Sequence, residues 1–243
     1  MVRAPGYANL LEGARHTYQT TEEFAAMIVE TIVVGPLQAN CYILGCEQTG
    51  EAVVIDPGDE PERIEKRIQQ LNLDLKQIIG THAHLDHVLG VRGLHEATGA
   101  PFLLHRLEEP ILAELRRWTR MWLGYDPGPP PTVDRYLDED EKVTFGKCEL
   151  ELRLTPGHSP GSLSFVDHAG RRVFVGDTLF YGSIGRSDFP GGDHATLIRA
   201  IETQIFTLDD DYTVLPGHGP ATTVGRERRM NPFFHHGVDI WLP

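Results

Sequence analysis

Thr81-His82-Ala83-His84-Leu85-Asp86-His87 places four metal-ligand side chains within six residues. The run leading into it, Gln77-Ile78-Ile79-Gly80-Thr81, reads as a buried strand. Just after a strand, His82 and His84 lie two residues apart and can point to the same side. A turn into a helix then lets Asp86 and His87 reach a second point a few ångströms away. Imidazole nitrogen and carboxylate oxygen are ordinary zinc donors, so this one hexapeptide can serve two adjacent metals. The competing reading is a polar helix cap with incidental histidines. It suits a lone histidine better than a cluster of four ligand-type residues.

Three further candidates follow later apolar runs. His158 lies in Thr155-Pro156-Gly157-His158-Ser159-Pro160-Gly161, behind a strand expected at 148–154. Asp177 follows Val173-Phe174-Val175-Gly176, and His218 follows Val214-Leu215 in Pro216-Gly217-His218-Gly219. Each is a ligand-type residue on a loop, with glycines that allow close backbone approach. Singly, Asp177 reads equally as a turn cap, and either histidine as a hydrogen-bonded loop residue. Their order behind the hexapeptide favours metal.

The rest of the chain supplies two β-rich halves, each followed by helices. Short β-rich runs occupy residues 27–35, 40–45 and 52–56, then 101–104, 142–145, 148–154, 162–167, 172–176 and 212–215. Apolar residues at helical spacing predict helices over 61–71, 88–98, 107–123, 194–206 and 222–230. Gly128-Pro129-Pro130-Pro131 makes a stiff loop between the halves. The apolar pattern begins at Met27. Residues 1–26 are expected to be a loosely attached extension, and 27–243 the single folded domain.

The bulk numbers narrow the class. A chain of 243 residues, 40% hydrophobic and 23% charged, suits one large α/β domain. The net charge of −13 argues against the broad basic surface that nucleic acid requires. An anionic small molecule stays open, because a metal pair creates its own positive field. No apolar run approaches the roughly eighteen residues a membrane span needs. The first residues lack the apolar stretch of a secretory signal. Cys41, Cys46 and Cys148 fit buried free thiols in a reducing compartment, so a cytoplasmic location is expected. A disulfide or metal role for Cys41 and Cys46 is the lesser alternative.

The ordered set HxHxDH, then His, Asp and His at strand ends, resembles the metallo-β-lactamase superfamily from about Met27 to about Pro232. The resemblance implies an α/β fold, an αββα four-layer sandwich with metals at one sheet edge. It implies that His82, His84 and His158 hold a first metal, that Asp86, His87 and His218 hold a second, and that Asp177 bridges both. Two divalent ions, zinc by default with iron or manganese using the same ligands, would lower the pKa of bound water to about 7. A metal-bridging hydroxide would then be the nucleophile, with Asp86 and Asp177 as its catalytic carboxylates.

Within the superfamily, Gly182-Ser183-Ile184-Gly185-Arg186-Ser187-Asp188-Phe189-Pro190-Gly191-Gly192-Asp193 and Leu215-Pro216-Gly217-His218-Gly219-Pro220 look most like short glyoxalase II enzymes, the hydroxyacylglutathione hydrolases. So does Asn231-Pro232-Phe233. The implied reaction is hydrolysis of a small-molecule thioester such as S-lactoylglutathione. The stretch after His218 is too short for the helical region with which long glyoxalase II enzymes help bind glutathione. Arg186 and Asp188 stand where those enzymes carry a glutathione-binding Lys and Tyr. Arg186 can grip a carboxylate; pairing with Asp188 or Asp193 is the structural alternative. Rival readings are a mononuclear iron persulfide dioxygenase on His82, His158 and Asp177, a lactone hydrolase, and a non-enzymatic binding module.

Two weaker signals stay double. Trp118 and Trp122 share a helix face and read first as packing beneath a basic surface, second as a lid over the site. Asp56, beside Pro57-Gly58, reads equally as a turn residue or as an acceptor orienting a ligand histidine. His95, His105, His168, His194, His235 and His236 receive no role.

Overall fold

A computed structural model describes residues 26–139 and 141–234 of the chain. The extension expected over residues 1–26 lies, apart from Ala26, outside the described residues, as do His235 and His236. The chain begins with an antiparallel hairpin of β1 (Met27–Val34) and β2 (Ala39–Cys46), in register from Met27↔Cys46 to Val34↔Ala39. Every residue of β2 is buried because each face meets a different core. Cys41 and Ile43 point toward helices, whereas Tyr42 and Leu44 point toward a second sheet.

β3 (Glu51–Ile55) pairs antiparallel with β2, and parallel crossovers then extend the first sheet through β4 (Asp74–Ile79), β5 (Phe102–His105) and β6 (Arg135–Leu137). Parallel neighbours need long connections, and here these carry α1 (Pro61–Gln70), α2 (Leu85–Val88), α3 (Val91–Thr98), α4 (Glu109–Ala113) and α5 (Leu115–Leu123). The strand order is β1-β2-β3-β4-β5-β6. The second sheet holds β7 (Lys142–Phe145), β8 (Cys148–Leu154), β9 (Leu163–Asp167), β10 (Arg172–Gly176), β13 (Thr213–Pro216) and β14 (Thr222–Thr223), in the order β14-β13-β10-β9-β8-β7. Between β10 and β13 lie a small hairpin, β11 (Leu179–Phe180) with β12 (Ser183–Ile184), and α6 (His194–Ala200), which runs on as a π turn over Ile201–Ile205. α7 (Val224–Met230) follows β14.

Three cores define four layers. Tyr42, Val53 and Ile79 meet Phe145, Phe165 and Phe174 between the sheets, with Tyr42 edge-on to Phe174 at 5.1 Å. Ile64, Ile68, Val91 and Leu94 cover the outer face of the first sheet. Leu197, Ile201, Ile205 and Val224 cover that of the second. This is the αββα sandwich that the sequence predicts. Cys41, Cys46 and Cys148 are buried and none is in a disulfide. Among the described residues no helix is long and apolar enough to cross a membrane.

The differences are local. The helix expected over 88–98 breaks at Gly90, where the loop after β3 crosses. The Gly90 N–H donates to the Pro57 carbonyl at 2.9 Å, and a Cβ there would lie 2.6 Å from that oxygen. The helix expected over 107–123 is two helices meeting at Glu114, preceded by a 3-10 turn (Arg106–Glu108). Pro110 sits in the first turn of α4, where a missing N–H costs nothing. β6, β11, β12 and β14 were not expected; two or three residues are too few to show alternation.

Candidate metal centre

The ends of β4, β8, β10 and β13 open at one edge of the sandwich, and backbone bonds lash that edge together. Leu163 N–H donates to the Thr81 carbonyl across the sheets (2.8 Å), and Gly217 N–H to Gly176 (2.7 Å). Asn40, on β2, donates its backbone N–H to Gly217 (2.7 Å) and its amide to Pro216 (2.9 Å) and Gly219 (3.0 Å). Tyr42 donates to Pro216 as well (2.6 Å). The first strand pair therefore holds the loop that carries His218.

All seven residues singled out in the sequence gather here. His158 Nε2 lies 3.2 Å from His82 Nε2 and 2.8 Å from His84 Nδ1. Asp86 Oδ2 lies 3.0 Å from His218 Nε2 and 3.8 Å from His87 Nε2. In each trio the candidate ligand atoms are within 4.8 Å of one another. Asp177 stands between the trios. Its Oδ1 is 3.5 Å from His87 Nε2, and its Oδ2 is 3.6 Å from His158 Nε2 and 3.8 Å from His218 Nε2.

The donor set suits divalent cations. Ligand nitrogens about 2.0–2.1 Å from a tetrahedral metal stand about 3.3 Å apart, close to the spacings in the first trio. His87 Nε2 and Asp177 Oδ1 are buried with no hydrogen-bond partner, and both face the centre. Buried polar atoms are rarely left unpaired, so such a pair fits a place prepared for a cation. Gly217 keeps this space open, since a Cβ there would sit 2.3 Å from Asp177 Oδ1 and 2.7 Å from His87 Cε1.

Surrounding hydrogen bonds aim the rings. Asp56 accepts from Thr81 N–H (2.6 Å), the Thr81 hydroxyl (2.7 Å) and His87 Nδ1 (2.9 Å). With its proton given to Asp56, the Thr81 hydroxyl accepts from His82 Nδ1 at 2.9 Å. His158 Nδ1 donates to the Arg186 carbonyl at 2.7 Å. In all three rings Nε2 is left as the inward acceptor that a metal needs. Asp56 adopts a left-handed backbone (φ 53°), which is uncommon for a residue other than glycine. Of its two readings, the geometry supports the orienting acceptor. Asp56, His82 and His87 also form a close trio, but the Asp56 carboxylate is already taken by these three donors.

Two supports escaped the sequence reading. Glu108 is fully buried and accepts from Ala83 N–H (2.8 Å) and Gly161 N–H (2.7 Å), which joins the hexapeptide to the His158 loop. Asn40 is the other. Neither belongs to a motif; a glutamate and an asparagine in apolar surroundings were the only available signals.

Electrostatics separates the histidines. Burial, then the neighbouring rings, holds His82 well below the usual histidine value. Burial and His158 lower His84 to about 3. Burial opposes protonation of His87 too, but Asp177, Asp86 and Asp56 outweigh it and raise this ring to about 10. His218 is raised in the same way, against burial, by Asp86 and Asp177. Burial alone would raise Asp86, yet His87 and His218 hold it below the usual carboxylate range. The carboxylate side of the centre therefore attracts positive charge strongly.

These shifts predict the pH dependence of the metal-free chain. His82 and His84 bind protons less readily folded than unfolded, so stability falls as pH drops from 6.5 toward about 3. His87 binds its proton more tightly folded. Its contribution is complete below 6.5 and is lost as pH rises toward about 10. Resistance to urea is expected to peak near pH 6.5 without metal. Metal loading should flatten the alkaline side, because a cation replaces the His87 proton. Urea titrations of both forms between about pH 5 and about pH 9 check this; equal alkaline slopes would contradict it.

The centre forms the floor of a cleft of about 650 Å³. Trp118 and Trp122 of α5, Leu107, Ile111 and Phe180 line it. Arg186 is also on the wall. Its guanidinium grips Asp188 through two bonds (2.9 and 2.8 Å) and lies 4.3 Å above the Phe189 ring.

This fold and this edge cluster are those of a family of metal-dependent enzymes. The metallo-beta-lactamase superfamily matches residues 34–218, and the chain belongs to it. Hydroxyacylglutathione hydrolase GloC of Haemophilus influenzae is 37% identical over 215 residues, 86% of this chain and 99% of that protein. The likeness agrees with the glyoxalase II-like group. The solved structure of TTHA1623 in a di-iron-bound form is 41% identical, with a TM-score of 0.77 over 84% of this chain and 100% of that one. The BLEG-1 B3 metallo-beta-lactamase gives 34% and 0.80, over 86% and 100%. ETHE1 from Myxococcus xanthus gives 27% and 0.70, over 84% and 83%.

Proposed function

We propose that this chain is a cytoplasmic binuclear metal-dependent hydrolase that cleaves small-molecule thioesters such as S-lactoylglutathione. The observation that carries the reading is the pair of ligand trios flanking one carboxylate, Asp177, at the floor of a cleft. His82, His84 and His158 would hold one metal, Asp86, His87 and His218 the other, and Asp177 both, with zinc as the first candidate. A bound pair of divalent ions lowers the pKa of water and polarises a carbonyl. Asp86 and Asp177 offset part of its charge and leave a net positive centre that favours a developing oxyanion. Asp56, Thr81 and the Arg186 carbonyl keep the rings in the required tautomers. A thiolate, with an ordinary pKa near 8.5, departs without a proton donor, so a thioester asks less of these residues than an amide.

Metal analysis followed by turnover on S-lactoylglutathione, other thioesters, lactones and a β-lactam tests the reading. About two metals per chain and a preference for thioesters are expected; a preference for lactones would move the assignment to that branch. The mononuclear iron alternative uses only His82, His158 and Asp177, and leaves the close trio Asp86, His87 and His218 without a task. One iron per chain together with oxygen uptake on glutathione persulfide would establish it instead.

A further inference from the structure

A path of aromatic rings leads away from the centre. Phe189 packs edge-on against His84 at 5.4 Å, and Trp122 edge-on against Phe189 at 6.0 Å. Leu107, Ile111, Leu115 and Trp118 continue the same wall, and Leu37 and Phe180 also line the cleft. Much of this wall is open to water: Trp122 is 52% exposed, Leu107 51% and Leu37 39%. Such a volume takes a ligand well beyond the size of a three-carbon hydroxyacyl group.

The charges in the cleft point the same way. A glutathione arm brings two carboxylates and calls for free cations. Away from the metal centre, the basic side chains among the described residues lining the cleft are Arg117 and Arg186. Arg117 pairs with Glu114 at 3.1 Å, and Arg186 is gripped by Asp188. Glu114 itself lines the cleft and adds a negative charge.

We propose that the substrate is a thioester carrying a large apolar arm, which runs from the metal centre along Phe189 to Trp122 and the Leu107–Ile111 wall. This rests on the thioesterase reading above and specifies its substrate class. Each methylene drawn from water onto such a wall strengthens binding about fourfold. The arm can come from the acyl side or from the thiol side, and two probe series separate them.

The test uses the metal-loaded chain. One series is N-acetylcysteamine thioesters from acetyl to decanoyl; the other is acetyl thioesters of alkyl thiols of rising length. Inert alkyl thioethers, followed by calorimetry, report binding without turnover. In one series kcat/KM should rise two- to fourfold per methylene over the first several, and thioether Kd should fall in step. Trp122→Ala and Leu107→Ala, both at half-exposed positions outside the buried cores, should each reduce the long-over-short preference about tenfold. Turnover of thioesters with flat series, no thioether binding and a preference for S-lactoylglutathione would overturn the proposal while leaving the hydrolase reading intact. Chain-dependent thioether binding without hydrolysis of any thioester would keep the apolar-arm site and end the hydrolase reading. Absence of both would end both.

Discussion

Asp177→Ala is expected to lower kcat on a thioester by a thousandfold or more and to bring metal content below two per chain. The carboxylate faces three histidines from two different trios, at 3.5, 3.6 and 3.8 Å. No other described carboxylate stands between them in this way. Its removal takes one negative charge from a centre that gathers five imidazoles and a single further carboxylate around the proposed metal pair. Loss of a charge partner at that distance is worth several kcal/mol where water is scarce, and a thousandfold corresponds to about 4 kcal/mol. The surrounding cores do not depend on this side chain, but His87 loses its strongest carboxylate partner, so the thermal melt of the metal-free variant should fall modestly near neutral pH. Metal quantification and turnover on the same preparation give the answer. Near-normal turnover with two metals bound would refute the placement of Asp177 between them.

Replacement of Asp56 should have the next largest effect, and two substitutions separate its two contributions. Asp56 accepts from three buried donors and is not among the residues lining the cleft. Asn suits the left-handed backbone and keeps the shape, but its amide nitrogen turns one acceptor into a donor that faces another donor. The His82 and His87 tautomers are then no longer enforced. Metal affinity is expected to fall about 10- to 100-fold with modest loss of stability. Ala removes all three acceptors and also fits the positive φ poorly. Stranding a buried N–H, a hydroxyl and an imidazole should cost about 3–5 kcal/mol in unfolding free energy, beyond the affinity loss. Competition titration with a chelator measures the first effect and urea unfolding the second. Wild-type metal affinity in both variants would show that Asp56 is a turn residue and nothing more.

The sequence resolves what depends on neighbours along the chain. Alternation in 148–154 marks a half-buried strand, and helical spacing of Ile64 and Ile68 marks α1, because one period decides each case. Where two segments cross, local pattern fails: Gly90 interrupts a helix because of Pro57, a distant residue that periodicity does not see. Trp118 and Trp122 show the same limit. Their shared face was legible, but whether it met a core or a cleft was not.

The primary structure by itself determined which atoms are available to a metal pair, since the residue types and their order from His82 to His218 are properties of the chain. Only the tertiary structure decided which of those atoms face one another and what aims them. Thr81 meets Asp56, and Ala83 meets Glu108, at a sequence separation of 25 in each case. Contacts of that kind arise when packed sheets bring separate loops to one edge, and no local periodicity encodes them.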